Sequence, residues 1–385
     1  MYIKAKIPSR YIYWVGLMAQ KVFIMGATGR VGSALVSQIY DREDTNPLLH
    51  RNPTSVVGVS SSTSYLYDPN GLEESLVRCF SSRKVRGRGY GGISDITELL
   101  RQHREPVSVV DATASPAMLE MHLAIIGGTR HGVVTANKLP LTIADFTTFN
   151  ALTSEAQRYG FRCTVMAGAD AVDKMRDLRD LCDPPLEIIG SFSGTIGHIL
   201  TRLQEGMRLS ESVREAMQLG YTEPNPAKDL DGSDVANKIV ILARTAGFDV
   251  GSADVKVSTF VPHDYLESPS AEVLLERLRD LDGYFKKEVN RARAAGNTLR
   301  YIARLALHNG LPQLRVGIEE VPIAGPLGML SGTANQIGIK TKVYNPVQYI
   351  VQAPGSGPEL TAQNLRRDLL YQVERRSVVH SIHVG

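Results

Sequence analysis

A short apolar run, VFIM (22–25), passes directly into Gly26-Ala27-Thr28-Gly29-Arg30-Val31-Gly32 and then into a stretch with helical spacing. Few local patterns restrict a chain more. A strand that enters a helix through three glycines fits a βαβ unit, and in that setting the turn reads as a dinucleotide-binding loop. Gly26 permits the tight turn, Gly29 lets the backbone approach a pyrophosphate, and Gly32 lets helix and strand pack closely. The helix start, with Thr28, Arg30 and Val31 around Gly29, turns free N–H groups and a positive dipole end toward the phosphates. The spacing is GxxGxxG rather than GxGxxG, so a purely structural glycine turn is the competing reading.

The alternation continues. SVVGVS (55–60), VSVVDAT (107–113) and VVTA (133–136) read as strands, and residues 30–42, 93–104 and 116–130 supply crossover helices. Short β-branched runs separated by helices predict a parallel sheet covered on both faces. After about residue 150 the pattern lengthens into helical stretches at Ser210–Leu219, Asp234–Ala246 and Ser270–Phe285. The runs at 255–262, 313–322, 336–344 and 347–354 look like strands of an antiparallel or mixed sheet. The expected fold is therefore α/β: a Rossmann-type nucleotide-binding domain over residues 18–150, then an α+β domain over 151–355, after an extension at 1–17.

Composition excludes several classes. With 43 Lys plus Arg against 40 Asp plus Glu, the net charge of +3 advertises neither a nucleic-acid nor a membrane partner. No apolar run reaches the 18 or so residues of a spanning helix. Cys79, Cys163 and Cys182 form no CxxC pair and no zinc-spaced cluster, which points to a reducing, cytoplasmic setting without a structural metal. Lys4, Lys6 and Arg10 precede the apolar stretch Tyr11–Met18; a targeting segment is one reading, and an upstream start or plain tail is preferred. RKVRGRGYGG (83–92) has the composition of an RNA-binding segment, but as one short copy it is expected to be a solvated loop.

Cofactor choice turns on the end of the second strand, where a carboxylate would bind the ribose of NAD. None is present. Ser60, Ser61 and Ser62 offer hydroxyls, and Arg30 can pair with a 2′-phosphate, so the residues favour NADP and leave NAD open.

Six further segments carry a family resemblance: VVDATASPAMLEMHLAIIGGTRHGVVTANKLPLT (109–142), IIGSFSGTIGHIL (188–200), GYTEPNPAKDLDGSDVANKIVILAR (220–244), GNTLRYIA (296–303), PLGMLSGTANQIGIKTKVY (326–344) and APGSGPELTAQNLRRDLL (353–370). They resemble homoserine dehydrogenase, in register from about residue 21 to 370, and the GYTEPxP…DLxGxDVAxK block is its most specific part. The resemblance implies NAD(P)-dependent interconversion of L-homoserine and L-aspartate 4-semialdehyde, a step toward threonine, isoleucine and methionine. It also implies a catalytic and dimerisation region in the second domain, a homodimer, and a C-terminal helix within 356–385 returning to the first domain. Lys138 and Lys238 fall on the lysines at the reacting centre, Thr195 in the substrate pocket, and Glu223, Asp229 and Asp234 on residues that hold the amino acid and serve proton transfer. Thr113, Ala114, Ser115, Lys138 and Gly355 are implied cofactor contacts beside the glycine turn. No aspartokinase or ACT-type domain is expected, and with them no threonine feedback through an appended domain.

The chemistry agrees with this resemblance. Hydride transfer to an aldehyde leaves an alkoxide that needs a proton donor or a nearby positive charge. Asp234 and Lys238 at i, i+4 share a helix face, although such a pair is ordinarily a surface salt bridge of little worth. His198 is read as structural or capping, and Cys163 as packing. Two departures matter. Where relatives read EATVGAGLP this chain has RCTVMAGAD (162–170); the carbonyls of Arg162, Val165, Ala167 and Ala169 correspond to a monovalent-cation site, but Met166 in place of glycine is expected to oppose a left-handed backbone, and Asp170 replaces a proline. Ala353 and Ser356 add bulk where relatives have GxGAG. The alternatives are therefore a dehydrogenase of another amino-acid semialdehyde and a catalytically silent NADP-binding sensor. Aspartate-semialdehyde dehydrogenase, which shares the glycine turn, needs a nucleophilic cysteine that no recognisable context provides here.

Overall fold

The computed structural model describes residues 19–50 and 53–382, with side chains described up to residue 372; the expected extension at 1–17 lies outside the described residues. The first sheet has seven strands: β1 (Gln20–Met25), β2 (Thr54–Ser60), β3 (Ser64–Tyr67), β4 (Arg88–Gly89), β5 (Val107–Asp111), β6 (Gly132–Thr135) and β7 (Tyr159–Gly160). Their order is β4-β3-β2-β1-β5-β6-β7, parallel from β2 to β7, with β3 and β4 antiparallel at one edge. The central strands are apolar runs because helices cover both faces; Val22, Phe23, Ile24, Val109, Val110, Val133 and Val134 are fully buried. Chain order reverses between β1 and β5, and ligands of open α/β sheets bind outside the carboxyl ends at such a switch point. The glycine turn leaves β1 at that end.

Two expectations need adjustment. The sheet runs on to β7 at Tyr159–Gly160, past the boundary expected near residue 150. The basic Gly-rich run is a loop, as expected, except that Arg88–Gly89 pairs with Ser64–Tyr65 as an edge strand.

The second sheet is formed by β8 (Glu187–Ser191), β9 (Val255–Val257), β10 (Asn297–His308), β11 (Leu311–Pro322), β12 (Ala334–Lys340) and β13 (Tyr349–Pro354), in the order β13-β12-β8-β10-β11-β9. All pairings are antiparallel except β9 with β11. Its two central strands, β8 and β10, are absent from the sequence expectation. In β10, Arg300 and Arg304 interrupt an apolar run, which obscures the two-residue period. The hairpin to β11 turns at Asn309-Gly310, both in the left-handed region (φ 50° and 80°), a turn signal that would have revealed β10 ahead of the expected β11. The expected helix over 270–285 is split: Ala271–Arg277 and Asp282–Ala294 flank a 3-10 turn at Leu278–Leu281.

The long helix Pro358–Ile382 returns to the first sheet. Gln38 donates to the Glu359 carbonyl at 2.8 Å, Gln20 to the Leu369 carbonyl at 3.0 Å, and Gln372 to the Val133 carbonyl at 2.7 Å. Ala362, Leu365 and Leu369 join the core on that face. Among the described residues no helix is long and apolar enough to cross a membrane.

Candidate active site

At the end of β1, Gly26 has φ +77°, and a Cβ on Gly32 would lie 2.1 Å from the Gly26 carbonyl oxygen, so side chains are barred from both places. Gly29 caps the helix Arg30–Asp41 with extended backbone. The first turn of that helix leaves the N–H groups of Arg30, Val31 and Gly32 without intrahelical acceptors, a cradle suited to phosphate oxygens. Arg30 is exposed at its mouth, and Arg83 donates to the Thr28 carbonyl at 3.4 Å, bringing a second guanidinium alongside. Ser60 differs from expectation: it is fully buried and its hydroxyl lies 3.3 Å from Met25 Sδ, so that hydroxyl faces the strand rather than a ribose. Ser61 accepts from the N–H groups of Thr63 and Ser64, which leaves Ser62 as the exposed hydroxyl.

A buried polar network that sequence reasoning did not name fixes the next loop. Asp111, at the end of β5, accepts from the N–H and hydroxyl of Thr113 (2.9 and 2.7 Å) and from Asn137 Nδ2 (3.1 Å). His122 Nε2 lies 3.2 Å from the same carboxylate, and its Nδ1 lies 2.8 Å from the Tyr159 hydroxyl. Burial alone would raise the Asp111 carboxyl, but His122 and the Thr113 donors outweigh it and hold the group below its ordinary range. Asn137 also donates to the Ser115 carbonyl at 2.9 Å. The network thereby sets the positions of Thr113, Ala114 and Ser115 and of the residue preceding Lys138. The Asp-x-Thr at the strand end was the available signal.

Lys138 follows β6 and reaches across to the helix Ser233–Thr245, where its Nζ lies 3.1 Å from Asp234 Oδ1. The other carboxylate oxygen lies 2.7 Å from Lys238 Nζ. One carboxylate bridges two lysines. The pair Asp234/Lys238 is no surface salt bridge, because Lys238 is 7% exposed and also donates to the Phe192 carbonyl at 2.8 Å. Burial lowers the Lys238 ammonium below its ordinary value, with Asp234 opposing the shift and Lys138 adding to it. Asp234 keeps about half of its side chain open, at 46%. Desolvation would raise its carboxyl, yet the two lysines outweigh that and hold it well below the carboxylate range. Asn335, fully buried, donates to the same Phe192 carbonyl at 2.8 Å, and a Cβ on Gly355 would fall 1.9 Å from its Nδ2. Of the APGSG segment, Gly355 is thus the position where bulk is barred, whereas Ser356 is exposed and Ala353 half-buried.

A second cluster gathers around Thr195. Its hydroxyl lies 2.5 Å from the Tyr221 carbonyl and 3.2 Å from Asp229 Oδ1, and the other Asp229 oxygen accepts from the Glu223 N–H at 2.8 Å. Glu223 joins through its backbone while its side chain is exposed. Desolvation pushes the Asp229 carboxyl up to about 6, against the opposing hydrogen bonds from Glu223 and Thr195. His198 is buried, 3.3 Å from Glu215 and edge-on to Tyr221. Cys163 is buried with its thiol pushed up by desolvation, in keeping with packing.

The expectation at 166 is overturned: Met166 and Ala167 both adopt φ 50°. The carbonyls offered to a cation are already acceptors. Arg162 O takes Val165 N–H at 3.3 Å, Val165 O takes Gly168 N–H at 3.1 Å, Ala169 O takes Ala171 N–H at 2.7 Å, and Ala167 O takes Asn364 Nδ2 at 2.9 Å. Each of these bonds takes one of the two lone pairs of its carbonyl oxygen. Among the described residues no cluster of His, Cys, Asp and Glu could hold a metal ion.

A glycine turn at the switch point of a parallel sheet, with Lys138 after β6 of that sheet joined through Asp234 to the helix Ser233–Thr245, defines a Rossmann-type nucleotide-binding fold with a lysine–carboxylate–lysine centre. The family description of homoserine dehydrogenase matches residues 174–370, and the chain belongs to the homoserine dehydrogenase family. It is 32% identical over 266 residues to a bifunctional aspartokinase/homoserine dehydrogenase of Buchnera aphidicola, covering 68% of this chain and 32% of that protein. It is 33% identical over 352 residues to the Escherichia coli bifunctional aspartokinase/homoserine dehydrogenase 2, covering 90% and 42%. The chain thus spans about a third to two-fifths of the length of these relatives. Among solved structures, a Candida auris protein of unknown function superposes with a TM-score of 0.82 at 26% identity, covering 93% of this chain and 99% of that one. A hyperthermophilic archaeal homoserine dehydrogenase in complex with NADPH shares the fold, with a TM-score of 0.69 at 21% identity over 93% and 98%.

Proposed function

We propose that the chain is an NADP-dependent homoserine dehydrogenase that interconverts L-homoserine and L-aspartate 4-semialdehyde. The observation that carries this reading is the buried Lys238 ammonium, aimed by Asp234 and the Phe192 carbonyl beside Lys138. Bound nicotinamide would supply the exchange of a hydride with the carbinol carbon. Lys238, as the neutral amine, would take the hydroxyl proton during oxidation and, as the resulting ammonium, return it to the alkoxide during reduction. Lys138, at the carboxyl end of β6, would add positive charge near that oxygen, and Asp234 would keep both lysines on target. Glu223 and Asp229 would face the substrate ammonium, with Thr195 ordering their loop. Thr28, Arg30, Val31, the three glycines, Thr113–Ser115 and Gly355 would line the cofactor. The working division is a nucleotide-binding unit to about residue 160, a catalytic and dimerisation unit to 355, and the returning helix. A homodimer in the cytoplasm is part of the proposal, supported by the family and by three free cysteines; light scattering tests the dimer.

Absorbance at the nicotinamide band, with L-homoserine and either NADP or NAD, tests the activity. Homoserine-dependent reduction supports it, and cofactor binding without turnover rejects it in favour of another semialdehyde or a sensor. Arg30→Ala should raise the KM for NADP by roughly ten- to a hundredfold while leaving that for NAD within about twofold, since one charge-assisted pair to a 2′-phosphate is worth about 1.5–3 kcal/mol. Equal effects on both cofactors would remove Arg30 from the 2′-phosphate site. Asp229 titrates near 6, so it is anionic at pH 8 and mostly neutral at pH 5. The KM for homoserine should climb as pH falls through that value, and Asp229→Asn should flatten the climb.

A further inference from the structure

Arg162 occupies the first position of the segment that the family resemblance offers to a monovalent cation, and it is 4% exposed. Its Nε donates to Asp368 Oδ1 at 2.5 Å, its backbone N–H to Asp368 Oδ2 at 3.2 Å, and its Nη1 lies 2.7 Å from Asp173 Oδ2 and 3.8 Å from Asp170 Oδ1. The guanidinium also sits 4.9 Å from the Tyr371 ring centroid. Arg367 pairs with Asp170 at 2.7 Å, and Arg176 lies 3.8 Å from Asp173. Around this turn three guanidiniums therefore face three carboxylates.

We infer that the 162–169 turn carries its own fixed cation, the Arg162 guanidinium clamped between Asp368 and Asp173, and works without a bound monovalent metal ion. Two observations converge on it. The four carbonyls that would ligate an ion each accept a hydrogen bond already, and Ala167 O is held by Asn364 from the C-terminal helix. Three guanidiniums also stand against three carboxylates, so an added ion would meet the like charge of the Arg162 guanidinium. A turn with two non-glycine residues at φ 50° needs an external clamp, because each such residue carries strain. Here the clamp is a helix: Asn364 lies over Gly168, where a Cβ would fall 2.3 Å from Asn364 Cβ, and Asp368 lies over Gly160. A bound ion would serve the same purpose, and of the four carbonyls it would bind, the helix engages Ala167 O.

The test uses the full chain at constant ionic strength in sodium, potassium or choline chloride. The thermal midpoint should be the same in all three, and the sodium-23 NMR line should not broaden specifically with protein. A saturable rise in midpoint with sodium or potassium that choline does not reproduce would overturn the inference. Arg162→Gln in choline chloride should lower the midpoint by roughly 4–6 °C, the scale for breaking one partner of a buried ion pair in a chain of this length; an unchanged midpoint would equally reject it. If that variant does not fold, the sodium titration of the unsubstituted chain decides alone. None of these readouts depends on the homoserine reaction, so failure here is distinguishable from failure of the proposed activity.

Discussion

Lys238→Ala should reduce homoserine oxidation by roughly 100- to 10,000-fold, the span over which a positioned acid–base group contributes to catalysis. The change removes a group that lies within hydrogen-bond distance of both Asp234 and the Phe192 carbonyl. What remains is well satisfied. Phe192 O keeps the Asn335 donor at 2.8 Å, and Asp234 keeps Lys138 at 3.1 Å and an open flank toward solvent. No unpaired buried charge is left behind, so the fold should survive the loss of the side chain. Cofactor affinity, read by quenching of protein fluorescence or by nicotinamide fluorescence, should stay within a few-fold, because the phosphate cradle is formed by a separate strand–turn–helix. A variant that keeps its rate within a few-fold would remove Lys238 from proton transfer, and one that loses cofactor binding in parallel would make the lysine a structural post.

How much of this centre could be read in advance follows from what kind of interaction builds it. The glycine turn was legible because it is local: a strand, three glycines and a helix declare themselves within a dozen residues, and the tight Gly26–Gly32 approach is a direct consequence. Asp234 and Lys238 were legible as a pair because four residues make one helical turn. The burial of Lys238 was not, since it depends on β8 and β12 delivering the Phe192 carbonyl and its second donor Asn335. The Asp111–His122–Tyr159 network is likewise nonlocal, joining β5, the helix Met118–Gly128 and β7, and spacing carries only its local part, the Asp-x-Thr at the end of β5. Ser60 shows the limit of reading position without direction. The residue stands at the end of β2 where a ribose ligand belongs, but its Oγ lies against Met25 Sδ. At Met166, side-chain preference pointed away from a left-handed backbone, yet the residue is fully buried at φ 50°, next to an Ala167 carbonyl held by Asn364 of the C-terminal helix.

Asp234→Asn should displace the pH dependence of aldehyde reduction while leaving the shape of the site nearly intact. Reduction needs Lys238 protonated, so kcat/KM falls as pH rises through the lysine pKa of the free enzyme. Burial already lowers that value, and the carboxylate of Asp234 is the main force resisting it. Replacing the carboxylate by an amide of the same size keeps a hydrogen-bond acceptor near both lysines and removes the charge. Burial and repulsion from Lys138 are then opposed only by the smaller effect of Asp229, and the Lys238 pKa must fall further; an anion at the distance of Asp234 is ordinarily worth roughly 1–3 pKa units. The descending limb should move to lower pH by that amount, and each unit costs about tenfold in rate at a fixed pH above it. Because the two lysines hold Asp234 itself well below the carboxylate range, it is ionised throughout the assay window and contributes no limb of its own. The measurement is the pH profile of kcat/KM for the semialdehyde in both proteins, with NADPH affinity and thermal midpoint as controls. A limb that stays in place while the rate drops would make Asp234 a substrate ligand only. A limb that moves to lower pH, with affinity for NADPH preserved, would establish that one carboxylate tunes the proton donor by standing between two lysines.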